Sequence, residues 1–297
     1  ADAEITLEAN PETVTRERLA GFRAAGVTRL SFGVQSLRDD ELGRLSRLHS
    51  ADRARGAVVE ARAAGFDNLS LDLMMWLPGQ SVDQWLESVE GLIALEPDHA
   101  SLYILELYPN APLREVMRRS RWSLAPDDDA ADMYMAAMER LDAAGYAQYE
   151  ISNVARAGRL SSHNLKYWTE GEWLGFGCGA HSTRRGRRWK NVSSTEDYIG
   201  AVTSGGRLRV EERVLSQTAE LEEALFTRLR LTAGIDLAEV GARFGVDLWD
   251  RYGGALQPFM DAELDLLIYD GGRLRLTRRG MLLANEIMAV FIGPPVR

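Results

Sequence analysis

Residues 62–70 read RAAGFDNLS, and residues 23–31 read RAAGVTRLS. Both copies have one physical reading. A helix runs out in small residues, and a glycine, Gly26 or Gly65, takes the left-handed position just past its end. A short turn then feeds a β run, Leu30–Val34 in one copy and Leu69–Met74 in the other. A weaker copy, LDAAGYAQYEIS at 141–152, places Gly145 before a run at Tyr149–Ile151. A further strand is expected at Ser101–Leu107, after a helix at Val82–Leu95, and Ser50 and Ser81 stand where N-caps are needed. Strands alternating with helices at this spacing are βαβ units, and these build a parallel sheet. The copies are too irregular for a solenoid, so the expected fold is α/β, a (β/α) barrel or part of one.

The pattern changes near Leu215. Helical stretches at Ala219–Leu231, Leu237–Phe244 and Arg251–Asp261 precede a hairpin-like DGGRLRLT from Asp270, and a last helix is expected near Arg279–Phe291. Three helices and a short β wing resemble a winged-helix fold. The acids Glu220, Glu222, Glu223, Asp236 and Glu239 favour a structural or docking role over DNA binding. The expected division is a partial barrel at 1–155, a linking segment at 156–214 and a small helical winged-helix-like domain at 215–297.

Composition sets limits on function. The 297 residues carry a net charge of −9, with 45% hydrophobic and 27% charged residues, which suits a globular protein and opposes general nucleic-acid binding. The one basic run, RRGRR at 184–188, reads as a solvated loop, with an anion-binding patch as the alternative. No apolar run is as long as a membrane span, and no secretory signal is visible. The single cysteine, Cys178, permits no internal disulfide, which points to the cytoplasm. One thiol also cannot supply the several thiolates that an iron–sulfur cluster usually takes from a chain. The chain passes from Ala1 almost directly into the strand-like Glu4–Leu7. A start inside a domain is therefore expected, with Glu4–Glu8 at an exposed edge.

Polar groups at strand ends locate candidate chemistry, because α/β barrels work at the C-terminal ends of their strands. Glu8 closes Ile5-Thr6-Leu7, Gln35 closes Leu30–Val34, and Asp72 lies within Leu69–Met74. A carboxylate in a parallel sheet is costly unless paired. Each of the three can be read as a loop cap. Together they favour a polar ligand bearing hydroxyls and amines.

Eight segments in order carry a specific resemblance. They are LEANPE (7–12), RLSFGVQS (29–36), LSRLHS (45–50), NLSLDLMMWLPGQ (68–80), LYPNAPL (107–113), YEISN (149–153), HNLKYW (163–168) and GFGCGAHS (175–182). The chain resembles the radical S-adenosylmethionine (SAM) family of heme chaperones of the HemW type and oxygen-independent coproporphyrinogen III oxidases. The resemblance implies a radical SAM barrel, here N-terminally truncated. It implies a 4Fe-4S cluster, held by a CxxxCxxC loop, that cleaves SAM to a 5′-deoxyadenosyl radical. The CxxxCxxC loop and the glycine-rich motif after it are not found in these residues, so no metal ligand is assigned here. The positions that match SAM contacts are Glu8, Gln35, Arg47 and Asp72. Carboxylates suit the ribose hydroxyls and the ammonium, and Arg47 suits the methionine carboxylate.

His163 and His181 sit in the two densest motifs. His163, Asn164, Tyr167 and Trp168 fall within six residues, and the glycines before His181 allow close backbone approach. Imidazoles and aromatic walls suit a tetrapyrrole, while a polar network fixing a loop is the plainer reading. His99 is read as structural. His49 follows Arg47 and reads equally as a SAM-site or a helix-end histidine. The leading functional expectation is a heme chaperone that carries heme as cargo to acceptor proteins. The alternatives are an oxidase that decarboxylates coproporphyrinogen III and a cluster-free scaffold. Homodimerisation and the acceptor's identity stay open.

Overall fold

The helix ends foreseen at Gly26, Gly65 and Gly145 form as expected, with φ of 101°, 88° and 84°. Each glycine launches the chain into a strand. In the computed structural model the described residues are 3–108, 111–120, 123–124 and 127–293, without the side chains of Pro112 and Asp127. They divide into two compact units, 1–161 and 162–297.

The first unit runs β1 (Thr6–Ala9), α1 (Arg16–Ala24), β2 (Arg29–Gln35), α2 (Asp39–Arg44), α3 (Ala51–Ala63), β3 (Leu69–Met75), α4 (Val82–Ala94), β4 (His99–Ile104), α5 (Pro112–Ser120), α6 (Asp127–Ala143), β5 (Ala147–Glu150) and β6 (Asn153–Ala155). Ser50 and Ser81 cap α3 and α4 through their side chains. The strands form one sheet in the order β1-β2-β3-β4-β6-β5. β1 to β4 are parallel, and β1 lies at an edge as expected. The third repeat departs from expectation. The run at Tyr149–Ile151 is expected as the next strand of the parallel sheet; β5 keeps that direction, but β6 folds back and inserts between β4 and β5, antiparallel to both. The reversal is held by the buried Glu150, whose carboxylate accepts from the Ser152 amide at 2.9 Å and from the Asn153 side chain.

Alternation gives this sheet two unlike faces. One holds Leu30, Phe32, Val34, Leu69, Leu71, Leu73 and Met75, each at most 1% exposed. Burying such side chains stabilises the unit by about 1.5–3 kcal/mol apiece. The other face is polar.

The second unit runs α7 (Ser162–Trp168), β7 (His181–Arg184), β8 (Arg187–Asn191), α8 (Thr195–Ser204), β9 (Arg209–Val214), α9 (Gln217–Arg228), β10 (Ile235–Asp236), α10 (Leu237–Phe244), α11 (Leu248–Leu256), β11 (Leu267–Asp270), β12 (Arg273–Leu276), α12 (Arg278–Leu282) and α13 (Ala284–Met288). From α9 onward the expected helices and wing are present, with β10-β12-β11 as a small antiparallel sheet. Two local readings are corrected. HNLKYW is helix α7, not a loop. RRGRR is the tip of a hairpin: Arg184 ends β7, Arg187 opens β8, and Arg185 and Gly186 turn at φ of 51° and 71°. Two positive-φ residues make the tight turn that matches strand twist. β7, β8 and β9 form a three-stranded antiparallel sheet that the sequence analysis does not foresee.

Candidate functional site

Register explains how the polar face of the first unit is assembled. Glu8 lies opposite Ser31, Ser31 opposite Ser70, and Ser70 opposite His99. One row further on, Asp72 lies opposite Ser101, and Ser101 opposite Asn153. Burial pushes the Asp72 carboxyl up to about 6; hydrogen bonds from Ser101 and Ser31 oppose the rise, and the nearby Glu8 charge adds to it. The His99 ring bonds the Ser70 hydroxyl at 2.9 Å and the Tyr149 hydroxyl at 2.8 Å. Burial, helped by the Arg29 charge, pushes His99 down to about 3. It is therefore neutral, with both ring nitrogens satisfied, as its structural reading requires.

Gln35 ends β2 in the left-handed region at φ 69°, an uncommon conformation for a non-glycine residue. The register of β2 on β3 shifts just before it. A Cβ on Gly33 would fall 2.8 Å from the Gln35 amide nitrogen, so glycine there makes room for that side chain. Beyond it lies a network that sequence reasoning missed. The fully buried Glu41 accepts from Ser36 at 2.5 Å and from Gln80 at 3.1 Å. Gln80 belongs to the LPGQ segment, so this carboxylate ties the loops after β2 and β3 together. Burial raises the Glu41 carboxyl above its usual range, against those two hydrogen bonds. The available signal was Ser36 directly after β2 and Gln80 at the end of the LPGQ turn after β3.

Glu8 and Asp72 thus share one face and sense each other, and Gln35 ends the strand between them. Arg47 sits between α2 and α3, half-buried, with no side-chain hydrogen bond or ion pair among the described residues. His49 is buried and bonds the Val34 carbonyl through Nε2 at 3.0 Å. On the polar face, the buried Arg29 Nε and Asn153 Oδ1 have no hydrogen-bond partner among the described residues. Such orphaned polar atoms fit a face that receives a polar ligand, and so fit SAM. An iron–sulfur cluster does not fit these residues. The one thiol, Cys178, is exposed in the second unit, with Sγ 3.5 Å from Thr195 Oγ1.

The second unit gathers imidazoles and aromatics. On α7, His163 Nε2 lies 3.1 Å from the Tyr167 hydroxyl, one helical turn on, with the rings edge to face at 4.9 Å. Tyr167 packs edge-on against Trp173 at 4.5 Å. Trp173 exchanges two backbone hydrogen bonds with Thr183, at 3.1 and 3.0 Å, which sets it beside β7. Trp173 and His181 line one open cleft of about 380 Å³. Sequence reasoning missed Trp173, although it lies between the two motifs. Trp168 points elsewhere, stacked under the Arg230 guanidinium at 4.4 Å. Asn164 is half-buried on α7. A Cβ on Gly175 would fall 2.3 Å from the His181 carbonyl oxygen, so this glycine admits the chain's own backbone.

No helix among the described residues is long and apolar enough to cross a membrane. Residues 1–92 match the radical SAM superfamily, and residues 215–283 match the HemN C-terminal domain. The chain is 36% identical to "Heme chaperone HemW" of Bacillus subtilis, over 98% of this chain and 76% of that protein. It is 39% identical to the protein of the same name from Mycobacterium tuberculosis, over 98% of this chain and 72% of that one. A solved structure of coproporphyrinogen III oxidase (HemN) from Escherichia coli, described as a radical SAM enzyme, superposes with a TM-score of 0.81 at 20% identity. That match covers 98% of this chain and 70% of the other, and it speaks for the fold alone. With both domains matched in order, and proteins of one name similar over nearly its whole length, the chain belongs to the HemW family of radical SAM proteins.

Proposed function

We propose that this protein binds heme and passes it to acceptor proteins, as the name of its relatives describes. The observation that carries the reading is the unbroken series His163, Tyr167 and Trp173, which leads to the exposed His181. A porphyrin needs flat apolar walls, and its iron takes a neutral imidazole. His181 is the better iron ligand, because no hydrogen bond occupies its ring among the described residues, whereas His163 Nε2 is engaged by Tyr167. Trp173 supplies the wall beside His181, Tyr167 packs edge-on against it, and Asn164 and Trp168 complete the α7 motif. SAM belongs on the polar face of the first unit, held by Glu8, Gln35, Asp72 and Arg47. When bound, SAM would supply a reactive sulfonium.

Heme titration followed by the Soret band tests the reading. His181→Ala should shift the band and weaken binding about tenfold, by the loss of one coordinate contact. His163→Ala should weaken it less. Two folded variants that bind heme like the parent would overturn the site. Decarboxylation of coproporphyrinogen III by the full-length protein would replace the chaperone reading with the oxidase.

A further inference from the structure

The sheet β7-β8-β9 carries a concentration of positive charge, most of it paired with carboxylates. His181 lies opposite Lys190, Thr183 opposite Arg188, and Arg188 directly opposite Arg213. Directly opposed like charges on neighbouring strands repel. Arg188 is drawn to Glu223, and Lys190 Nζ stands 3.7 Å from Glu211. Arg213 is exposed and makes no hydrogen bond or ion pair among the described residues. Arg188, Lys190, Glu211 and Arg213 line the cleft that holds Trp173 and His181.

The cleft therefore combines a flat aromatic wall, an unengaged imidazole and an unneutralised guanidinium, in a chain whose net charge is −9. The ligand that answers all three has a planar apolar body and carboxylates on its rim. We propose that Arg213, assisted by Lys190, binds the peripheral carboxylates of the tetrapyrrole, so that the cleft selects porphyrins with free propionate groups. The proposal rests on the heme reading above and adds the chemical feature by which the cargo is chosen. β7 and β9 are two strand spacings apart, about 10 Å. A macrocycle lying across the sheet with its centre at His181 brings its rim over β9. A guanidinium is suited to this task, since it stays charged and grips a carboxylate with two parallel hydrogen bonds.

The test compares heme with heme dimethyl ester, in which both carboxylates are masked, by Soret titration of the 297-residue chain. The parent should bind heme about tenfold more tightly than the ester, the scale of a charge-assisted hydrogen bond. Arg213→Gln/Lys190→Gln should bind both ligands as the parent binds the ester. His181→Ala should weaken both ligands equally and keep the preference. Arg213→Gln alone, at an exposed position, serves if the double variant loses its circular dichroism. A parent that binds both ligands equally, or a variant that keeps the parent's preference, overturns the proposal while heme binding stands. A parent that binds neither ligand overturns both readings.

Discussion

Strands β2 and β3 of the first unit and strands β8 and β9 of the second are each paired along nearly their full length, yet they are built from opposite materials. RLSFGVQ and LSLDLMM place an unbroken apolar row on one face, buried to within 1%. RRWKN and RVEERV have no such row. Of β8 and β9, only Trp189 is a buried hydrophobe, and Arg209 lies over its ring at 4.3 Å. Asn191 is also buried, and its amide donates to the carbonyls of Gly175 at 3.2 Å and Gly177 at 2.9 Å. The comparison shows that hydrophobic period reports burial, while strand pairing itself is a backbone event that charged side chains permit.

The strongest way to break the contrast is to empty the apolar row. Phe32→Ala should cost about 3–5 kcal/mol in urea unfolding, because a fully buried ring leaves a cavity. A cost under about 1 kcal/mol would show that this face is not the source of the unit's stability. The antiparallel sheet should fail instead by crowding. Gly175→Ala places a methyl 2.3 Å from the His181 carbonyl oxygen and should cost about 1–3 kcal/mol, with faster amide exchange confined to β7 and its neighbours.

A gentler probe compares the polar groups of the two regions. Asp72 has a folded pKa of about 6, above its ordinary 3.8, so between those values the folded state holds more protons than the unfolded. Stability should therefore fall as pH rises through that window, by about 1–3 kcal/mol in all, and Asp72→Asn should reduce the dependence, leaving the part that the raised Glu41 carboxyl contributes. A parent whose stability is flat from pH 4 to 6 would contradict the desolvated carboxyl. The smallest effect is expected at the opposed arginines. Arg213→Thr should raise the stability of the ligand-free chain by about 0.2–1 kcal/mol, since it removes cross-strand repulsion and adds a β-branched residue. A loss of stability would mean that Arg213 serves the fold.

The sequence by itself determined the repeating strand–turn–helix unit of the first region, its glycine-terminated helices, the caps at Ser50 and Ser81, and the polar residues Glu8, Gln35 and Asp72. These are local properties, set by backbone sterics at one residue or by a period within one segment. The motif order also carried the family. Only the tertiary structure decided that β6 inserts between β4 and β5, and that Glu41 joins two loops through Ser36 and Gln80. It alone turned Trp168 toward Arg230 and left Trp173 beside Tyr167. It alone set Arg213 opposite Arg188. Each of these joins residues far apart in the chain through pairing register or side-chain direction. A one-residue change of register reverses which face a side chain occupies, and nothing in the local pattern of β8 or β9 distinguishes one register from the next.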